Sequence, residues 1–294
     1  MYDLNRPGTL RQLSKRIRDE VDMFAMKDLD DGHRAHLGAS LIGEECERQL
    51  YYGFRWCGRE HFDGRMLRLF ERGHREEAFF VHLLRGIGFK VNTVDPASIT
   101  PECPEGEQYR IEGVNGHFGG SCDGRGWFPE TWGLRDEELL FEFKTNGTGG
   151  GFNALTEDGV TIAKPKHWAQ MCTYGFKMKI RYAVYMCVNK NDDVIYPEVA
   201  RLNWALGEEM ERRADRVINA RIPPARISPN PSYGKCKYCF AADMCHANGQ
   251  PERNCRSCQQ AQPVANKEWF CHRFQQIIPP EFIAKGCDDH CGIK

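Results

Sequence analysis

Fourteen of the 294 residues are cysteine, and where they fall constrains this chain more than any other feature. Cys46, Cys57, Cys103, Cys122, Cys172 and Cys187 are scattered, whereas the other eight are crowded between Cys236 and Cys291. A dense thiol set in a reducing compartment binds metal more often than it forms disulfides. The C-terminal fifth is therefore expected to be stapled by metal. No apolar run approaches the roughly 20 residues that cross a bilayer, and "MYDLNRPGTLRQLSKRIRDE" lacks the apolar centre of a signal peptide. A soluble, cytoplasmic protein with no membrane partner is expected, in the host cytoplasm if it is phage-encoded. Its 40 basic and 41 acidic residues nearly cancel, so a nucleic-acid partner would have to be held by a local basic surface and by metal ions.

Apolar periodicity predicts an amphipathic helix over 9–28, with Leu10, Leu13, Ile17, Val21 and Phe24 on one stripe. Ser40 reads as the N-cap of a helix carrying Cys46, and a long helix is expected over about 65–86, with His74 and Glu77 sharing a face. Strand character begins at "FKVNTV" and returns through "QYRIEGVNGHFGGSCDGRGWF" and "ELLFEFKT", the last two joined by the turn "PETWGLRDE". "NGTGGGFNALTEDG" lacks the Gly-Lys-Ser/Thr ending of a phosphate-binding loop and reads as a mobile loop. A helix over "KPKHWAQMCTYGFKM", a hairpin "RYAVYMCVNK" and "VIYPEVARL" with "NDD" at its tip, and a helix over about 205–220 follow. The Pro-rich segment 222–234 is the best linker. There is no internal repeat.

The chemistry gathers at "LLFEFKTN", residues 139–146. Strand alternation places Leu140, Glu142 and Lys144 on one face and Leu139, Phe141 and Phe143 on the other, a pattern that a solvated strand edge would also give. Upstream lies Asp123 in "GGSCDGRG", about a strand, a turn and a second strand away. A hairpin of that size can bring Asp123 and Glu142 together as hard oxygen ligands for Mg²⁺ or Mn²⁺, with Lys144 beside them to orient water and offset charge on a phosphate.

Asp-x₁₈-Glu-x-Lys resembles the PD-(D/E)XK nuclease superfamily, although Cys122 and not Pro precedes Asp123. Gln170-x₃-Tyr174 is similar to the Q-x₃-Y element of RecB-type nucleases, and His74 matches a helical His that is an extra metal ligand there. Cys236-x₂-Cys239-x₅-Cys245 offers three thiols where a tetrahedral metal or cubane cluster wants four. In the iron–sulfur branch of RecB-like nucleases, which includes AddB-type and CRISPR-associated prespacer-processing nucleases, the fourth comes from far upstream, where Cys46 lies. The resemblance implies an α/β, restriction-endonuclease-like domain over 40–246, a mixed central sheet flanked by helices and closed by a [4Fe–4S] cluster. It is preceded by a helical segment over 1–39, and zinc at the same thiols is the competing assignment.

The resemblance further implies that His74, Asp123, Glu142 and the Phe143 carbonyl hold two divalent ions, that Lys144 activates water, and that Gln170 and Tyr174 position the DNA strand. Arg72, Arg125, Lys164 and Lys166 are candidate phosphate contacts, and Trp127, Trp132 and Trp168 candidate base-stacking residues. In the tail, Cys255-x₂-Cys258 followed by Cys271 and Cys287 forms a zinc pattern over 250–294, with His290 as substitute for the last thiol. A segment with so few aliphatics is expected to need its metal in order to fold, and it resembles small Cys-rich tails on phage-encoded nucleases. The implied activity is a DNA exonuclease of recombination, replication or repair, with a single-strand annealing or recombination protein as natural partner. The rivals are a prespacer-trimming nuclease with the same core and a DNA-binding scaffold with a decayed site, against which the joint presence of Asp123, Glu142 and Lys144 weighs.

Overall fold

A computed structural model describes residues 6–134, 136–148 and 151–294. In chain order the elements are α1 (Thr9–Asp28), β1 (Leu37–Gly38), α2 (Glu47–Phe54), α3 (Gly64–Gly86), β2 (Lys90–Asn92), β3 (Arg110–Gly113), β4 (Phe118–Ser121), β5 (Gly124–Trp127) and β6 (Glu138–Asn146). There follow α4 (Phe152–Ala163), α5 (Pro165–Met178), β7 (Tyr182–Asn189), β8 (Ile195–Arg201), α6 (Trp204–Asn219), α7 (Gly234–Lys237) and α8 (Ala242–His246). The tail holds β9 (Ala261–Pro263), β10 (Trp269–Cys271), β11 (Gln276–Ile277) and α9 (Pro280–Ile283).

The central sheet runs β2-β5-β6-β7-β8, parallel between β6 and β7 and antiparallel elsewhere. This α/β arrangement, a mixed sheet with helices on both faces, is the fold class expected from the sequence. β6 lies between β5 and β7, so "LLFEFKTN" is a central strand and not a solvated edge. Its alternation divides two cores. Leu139, Phe141 and Phe143 pack with Phe80, Val81 and Leu84 of α3, while Leu140 joins the larger core around α5 and α2. Residues 182–201 form the expected hairpin, and residues 222–231 contain no helix or strand.

Two local expectations fail. Ser40 does not cap a helix; it lies in a turn, and the helix starts at Glu47 with Cys46 in the N-cap position, extended at φ −91°. The Gly-rich segment is not all loop: 152–163 is helical, kinked at Gly159, because Phe152, Leu155 and Val160 find buried places in the main core. Its residues 149–150 lie outside the described residues, as does 135 in the turn before β6. The helix expected over 9–28 is present as α1, with its apolar stripe turned to solvent and not to a core. The helix meets α3 through Asp22, which pairs with Arg68, and through Gly64, where a Cβ would stand 2.3 Å from the Asp22 carbonyl oxygen. Leu10, Ile17, Val21 and Phe24 stay exposed.

The tail is not folded by its thiols alone. β9, β10 and β11 form an antiparallel sheet whose Trp269, with Ile278 and Ile293, joins the same core as Leu50, Tyr51 and Phe54 of α2. Two buried arginines stitch the two parts. Arg55 donates to the carbonyls of Arg256 at 2.5 Å, Cys258 at 2.7 Å and Ala261 at 3.0 Å. Arg256 donates back to Ala35 at 2.9 Å and to the Phe54 carbonyl, and both guanidinium groups lie against the Trp269 ring. Carbonyls and aromatic faces thus take the place of carboxylates around two buried cations.

Trp269→Ala should therefore cost about 3–5 kcal/mol and weaken the whole chain. Urea unfolding followed by far-UV circular dichroism checks this: an unchanged main transition, with the tail alone lost, would show that the two cores are independent.

Candidate active site

The site is assembled where the chain changes sheets. β4 pairs with β1 and β3 in a second sheet, β5 enters the central sheet, and Cys122 and Asp123 span the break. Freed from a ladder, Asp123 accepts a hydrogen bond from the Phe143 backbone N–H through Oδ2 at 2.6 Å, which fixes its carboxylate against β6. Glu142 has no exposed surface, and neither of its oxygens has a well-formed hydrogen bond among the described residues. Lys144 Nζ is in ion-pair contact with Glu142 Oε1, donates to the Phe143 carbonyl at 3.0 Å, and lies 4.0 Å from Asp123 Oδ2. One ammonium thus stands among three oxygens predicted to be metal ligands.

The electrostatics follow from this crowding. Burial raises the Glu142 carboxyl well above the ordinary carboxylate range, opposed by Lys144 and reinforced by Asp123. Burial would lower the Lys144 ammonium, but the carboxylates of Glu142 and Asp123 outweigh it and hold the charge on. Glu77 is pushed up to about 7, first by burial and then by the Asp123 carboxylate. Glu77 shares its helical face with His74, and the resemblance gives it no role. The structure brings Glu77 to the cluster, whereas His74 is 70% exposed and turned to Glu71 at 3.5 Å. His74 is therefore not gathered with the other predicted ligands: the seating of Phe80, Val81 and Leu84 on the sheet fixes the rotation of α3, and Glu77 takes the inward place.

Gln170 and Tyr174 do share a helical face, but that face is buried and does not open on a DNA cleft. The Tyr174 hydroxyl donates to the Ser121 carbonyl at 2.8 Å and is also hydrogen-bonded with Gln170. Gly120 makes this approach possible, since a Cβ there would come within 2.6 Å of the hydroxyl. The pair thus positions β4, two residues before Asp123, in place of the DNA contact expected.

Three of the four candidate phosphate contacts are already ion-paired. Arg125 forms a two-pronged pair with Glu138, Arg72 lies near Glu76 and Asp193, and Lys166 holds Glu44 at 2.7 Å. Lys164 bonds the Asn146 side chain at 3.2 Å, at the end of β6, and is the best placed of the four. Trp132 is exposed yet packs edge-on against Phe89; Trp127 and Trp168 are half-buried.

Cys46, Cys236, Cys239 and Cys245, brought together from distant parts of the chain, line one pocket with Arg48, Arg226 and Lys235. Burial raises the Cys239 thiol, and its three partners add to the shift. In the tail, burial and then Cys287, Cys258 and Cys271 push Cys255 up to about 11, so these four thiols also gather. His290 does not join them; its ring is bonded to the Ser257 hydroxyl at 3.0 Å. As placed, no three His, Cys, Asp or Glu side chains among the described residues stand close enough to hold a single ion.

No protein-family model and no curated protein matches the chain. Among solved structures it is similar to SSO0001, at 13% identity and a TM-score of 0.44, over 78% of this chain and 96% of that one. It is also similar to LHK-Exo in complex with dAMP, from Laribacter hongkongensis, at 16% identity and a TM-score of 0.42, over 67% and 89%. A phage related exonuclease from Haemophilus somnus aligns at 14% identity and a TM-score of 0.31, over 50% and 66%. Similarity at this level does not assign chemistry, which rests on the side chains of this chain.

His167 gives the site a pH signature. Burial, then the Lys144, Lys164 and Lys166 cations, push its imidazole down to about 3, while its Nδ1 is bonded with the Tyr185 hydroxyl at 3.0 Å. The unfolded imidazole takes a proton near pH ~6.5 and the folded one does not, so stability is lost as pH falls from about 6.5 toward 3. Between pH 7 and 5, metal-free wild type should lose more stability than His167→Gln in urea titrations; parallel losses would refute the assignment.

Proposed function

We propose that this chain is a Mg²⁺- or Mn²⁺-dependent deoxyribonuclease that hydrolyses phosphodiester bonds at DNA ends. The observation that carries the reading is the convergence of Asp123, Glu142 and the Phe143 carbonyl on one positive charge, the Lys144 ammonium, around a fully buried carboxylate whose one ion pair among the described residues is with that lysine. An all-oxygen donor set of this kind suits a hard divalent cation, so the residues fit the metal. When bound, the metal would polarise the phosphate and lower the pKa of an attacking water.

The protein groups divide the remaining work. Asp123, Glu142 and the Phe143 carbonyl hold the cation, and Glu77 adds a fourth oxygen source. Lys144, kept charged by its neighbours, orients water and offsets the charge that builds on the phosphate. Gln170 and Tyr174 keep Asp123 in place through β4, and Lys164 is the group best placed to meet a backbone phosphate. Cys46, Cys236, Cys239 and Cys245 are assigned to a [4Fe–4S] cluster, with zinc as the alternative. The common pocket supports this, as do the cations around it that offset thiolate charge. Cys255, Cys258, Cys271 and Cys287 are assigned to zinc. Both centres would be structural, the first closing a loop of about 200 residues. A role in recombination, replication or repair, alongside a single-strand annealing protein, is the biological setting this chemistry suits.

End-labelled linear DNA and closed circular DNA, digested side by side in Mg²⁺ and Mn²⁺, test the reading. Linear substrate alone should be lost, and Lys144→Ala or Glu142→Gln should slow the loss by about 100-fold or more. A Lys144→Ala protein that cuts as fast as wild type would remove the site assignment, and cutting of circles would make the enzyme an endonuclease.

Protein purified without oxygen should be brown, with broad absorbance near ~400 nm that disappears in Cys46→Ser, and should carry zinc that Cys271→Ser releases. Colourless protein with two zinc ions per chain would transfer the first centre to zinc.

A further inference from the structure

Past Lys144, the end of β6 gathers positive charge that the catalytic assignment leaves unexplained. Two residues on, Asn146 lies on the same strand face as Glu142 and Lys144, and its side chain accepts from Lys164 Nζ at 3.2 Å. The Asn146 carbonyl accepts from the backbone N–H of Lys190, the first residue after β7, at 2.8 Å. Cys187, the partner of Lys144 in the β6–β7 register, shows how closely these cations stand. Burial raises its thiol; against that act the Asn146 amide, bonded to the sulfur at 3.1 Å, and then the ammonium groups of Lys164, Lys144 and Lys190. Lys190 in turn is held below its usual range by burial and then by the Arg72 guanidinium of α3.

The neighbouring acids do not balance this charge. Glu142 and Asp123 are taken by Lys144. Arg72 lies 3.6 Å from Glu76 and 3.7 Å from Asp193, and Asp193 is 85% exposed at the tip of the hairpin. Among the described residues Lys164 has the Asn146 amide, and no carboxylate opposes the lowering of Lys190. Cations held together in this way repel one another, and an anion placed among them is attracted by all of them at once. The lysine is also fixed in place. Asn189, buried beside it, donates to the Thr148 hydroxyl at 3.0 Å, and the Asn191 side chain accepts from the Thr148 N–H at 2.9 Å. The backbone that presents Lys190 is therefore ordered before any ligand arrives, which lowers the entropy cost of binding.

We infer that Lys190, together with Arg72 and Lys164, holds the backbone phosphate adjacent to the one that is cut. This rests on the deoxyribonuclease reading and adds a strand-positioning residue to it. Lys144 and Asn146 are separated by roughly 7 Å at the rise of a β-strand, a step of the same order as that between neighbouring phosphates of a nucleic-acid strand. A strand whose scissile phosphate meets Asp123, Glu142 and Lys144 thus brings its next phosphate to Lys164 and Lys190. Such a contact sets the register of the strand and carries no base preference.

Anisotropy of a fluorescein-labelled DNA duplex with a single-stranded overhang, titrated with the full-length protein in EDTA over a salt series, tests this beside cleavage in Mg²⁺. Lys190→Ala should weaken binding about fivefold or more and flatten the dependence of log Kd on log salt by about 0.7–0.9, the loss of one phosphate contact. In cleavage its KM should rise with kcat nearly unchanged, because the contact is the same before and during reaction, and Lys190→Arg should restore both affinity and slope. A series of substrates, each with one neutral methylphosphonate, locates the contact. One linkage beside the cut position should cost wild type as much affinity as Lys190→Ala does, and cost the variant nothing further. Wild type that cuts DNA while Lys190→Ala matches it in slope and KM would overturn this inference alone. So would equal methylphosphonate losses in the two proteins at every position. Wild type that neither binds nor cuts DNA would overturn the deoxyribonuclease reading and this inference with it.

Discussion

A carboxylate without exposed surface, Glu142 in the middle strand of the sheet, is the constraint on which the rest of this structure depends. Left alone there, its charge would cost several kcal/mol, and the fold meets that cost by placing Lys144 beside it and fixing Asp123 to the backbone of the same strand. The surrounding elements serve this arrangement. Tyr174 reaches across to β4 at the one glycine that admits it, and α3 turns Glu77 inward. Three acids are thus held near one lysine, and their mutual repulsion adds to burial in raising the carboxyls of Glu142 and Glu77.

The same economy of charge holds the tail. Arg55 and Arg256 are buried with no carboxylate paired to them among the described residues; they donate to carbonyls and lie against the faces of Phe54, Trp56 and Trp269. Burial lowers both guanidinium groups below their usual range, most strongly Arg256. His117 adds a further tie, its Nε2 bonded to the Val264 carbonyl at 2.9 Å. The thiols therefore lie on a framework already joined: Cys46 and the three between 236 and 245 line one pocket, and those of the tail sit in a module whose apolar core is shared with α2.

Much of this was legible because it depends on local rules. The period-2 pattern of 139–146 identified a strand and its two faces, and the spans expected for α3, α5 and α6 fall within a residue or two of those observed. The proximity of Asp123, Glu142 and Lys144 was legible for a related reason: spacing along two adjacent strands translates almost directly into distance. What was misread turned on rotation and burial. His74 and Glu77 lie on one helical face, and sequence alone cannot say which of two residues three apart looks inward. Cys46 was placed inside a helix because the turn before Glu47 has no signature stronger than its flanks.

The sequence by itself determined the helices over 9–28, 65–86, 164–178 and 205–220 and the strand that carries the carboxylate and lysine, since each follows from periodicity, whereas the place of Cys46 in a set of four thiols rested on resemblance. Tertiary structure alone decided that β6 is central and not an edge, that Glu77 replaces His74 at the cluster, that Gln170 and Tyr174 support the protein instead of facing a cleft, and that the tail shares its core with α2. It also left the stripe of α1 uncovered. These are decisions about which surfaces meet, and they depend on volumes and directions summed over the whole fold, which no local pattern records.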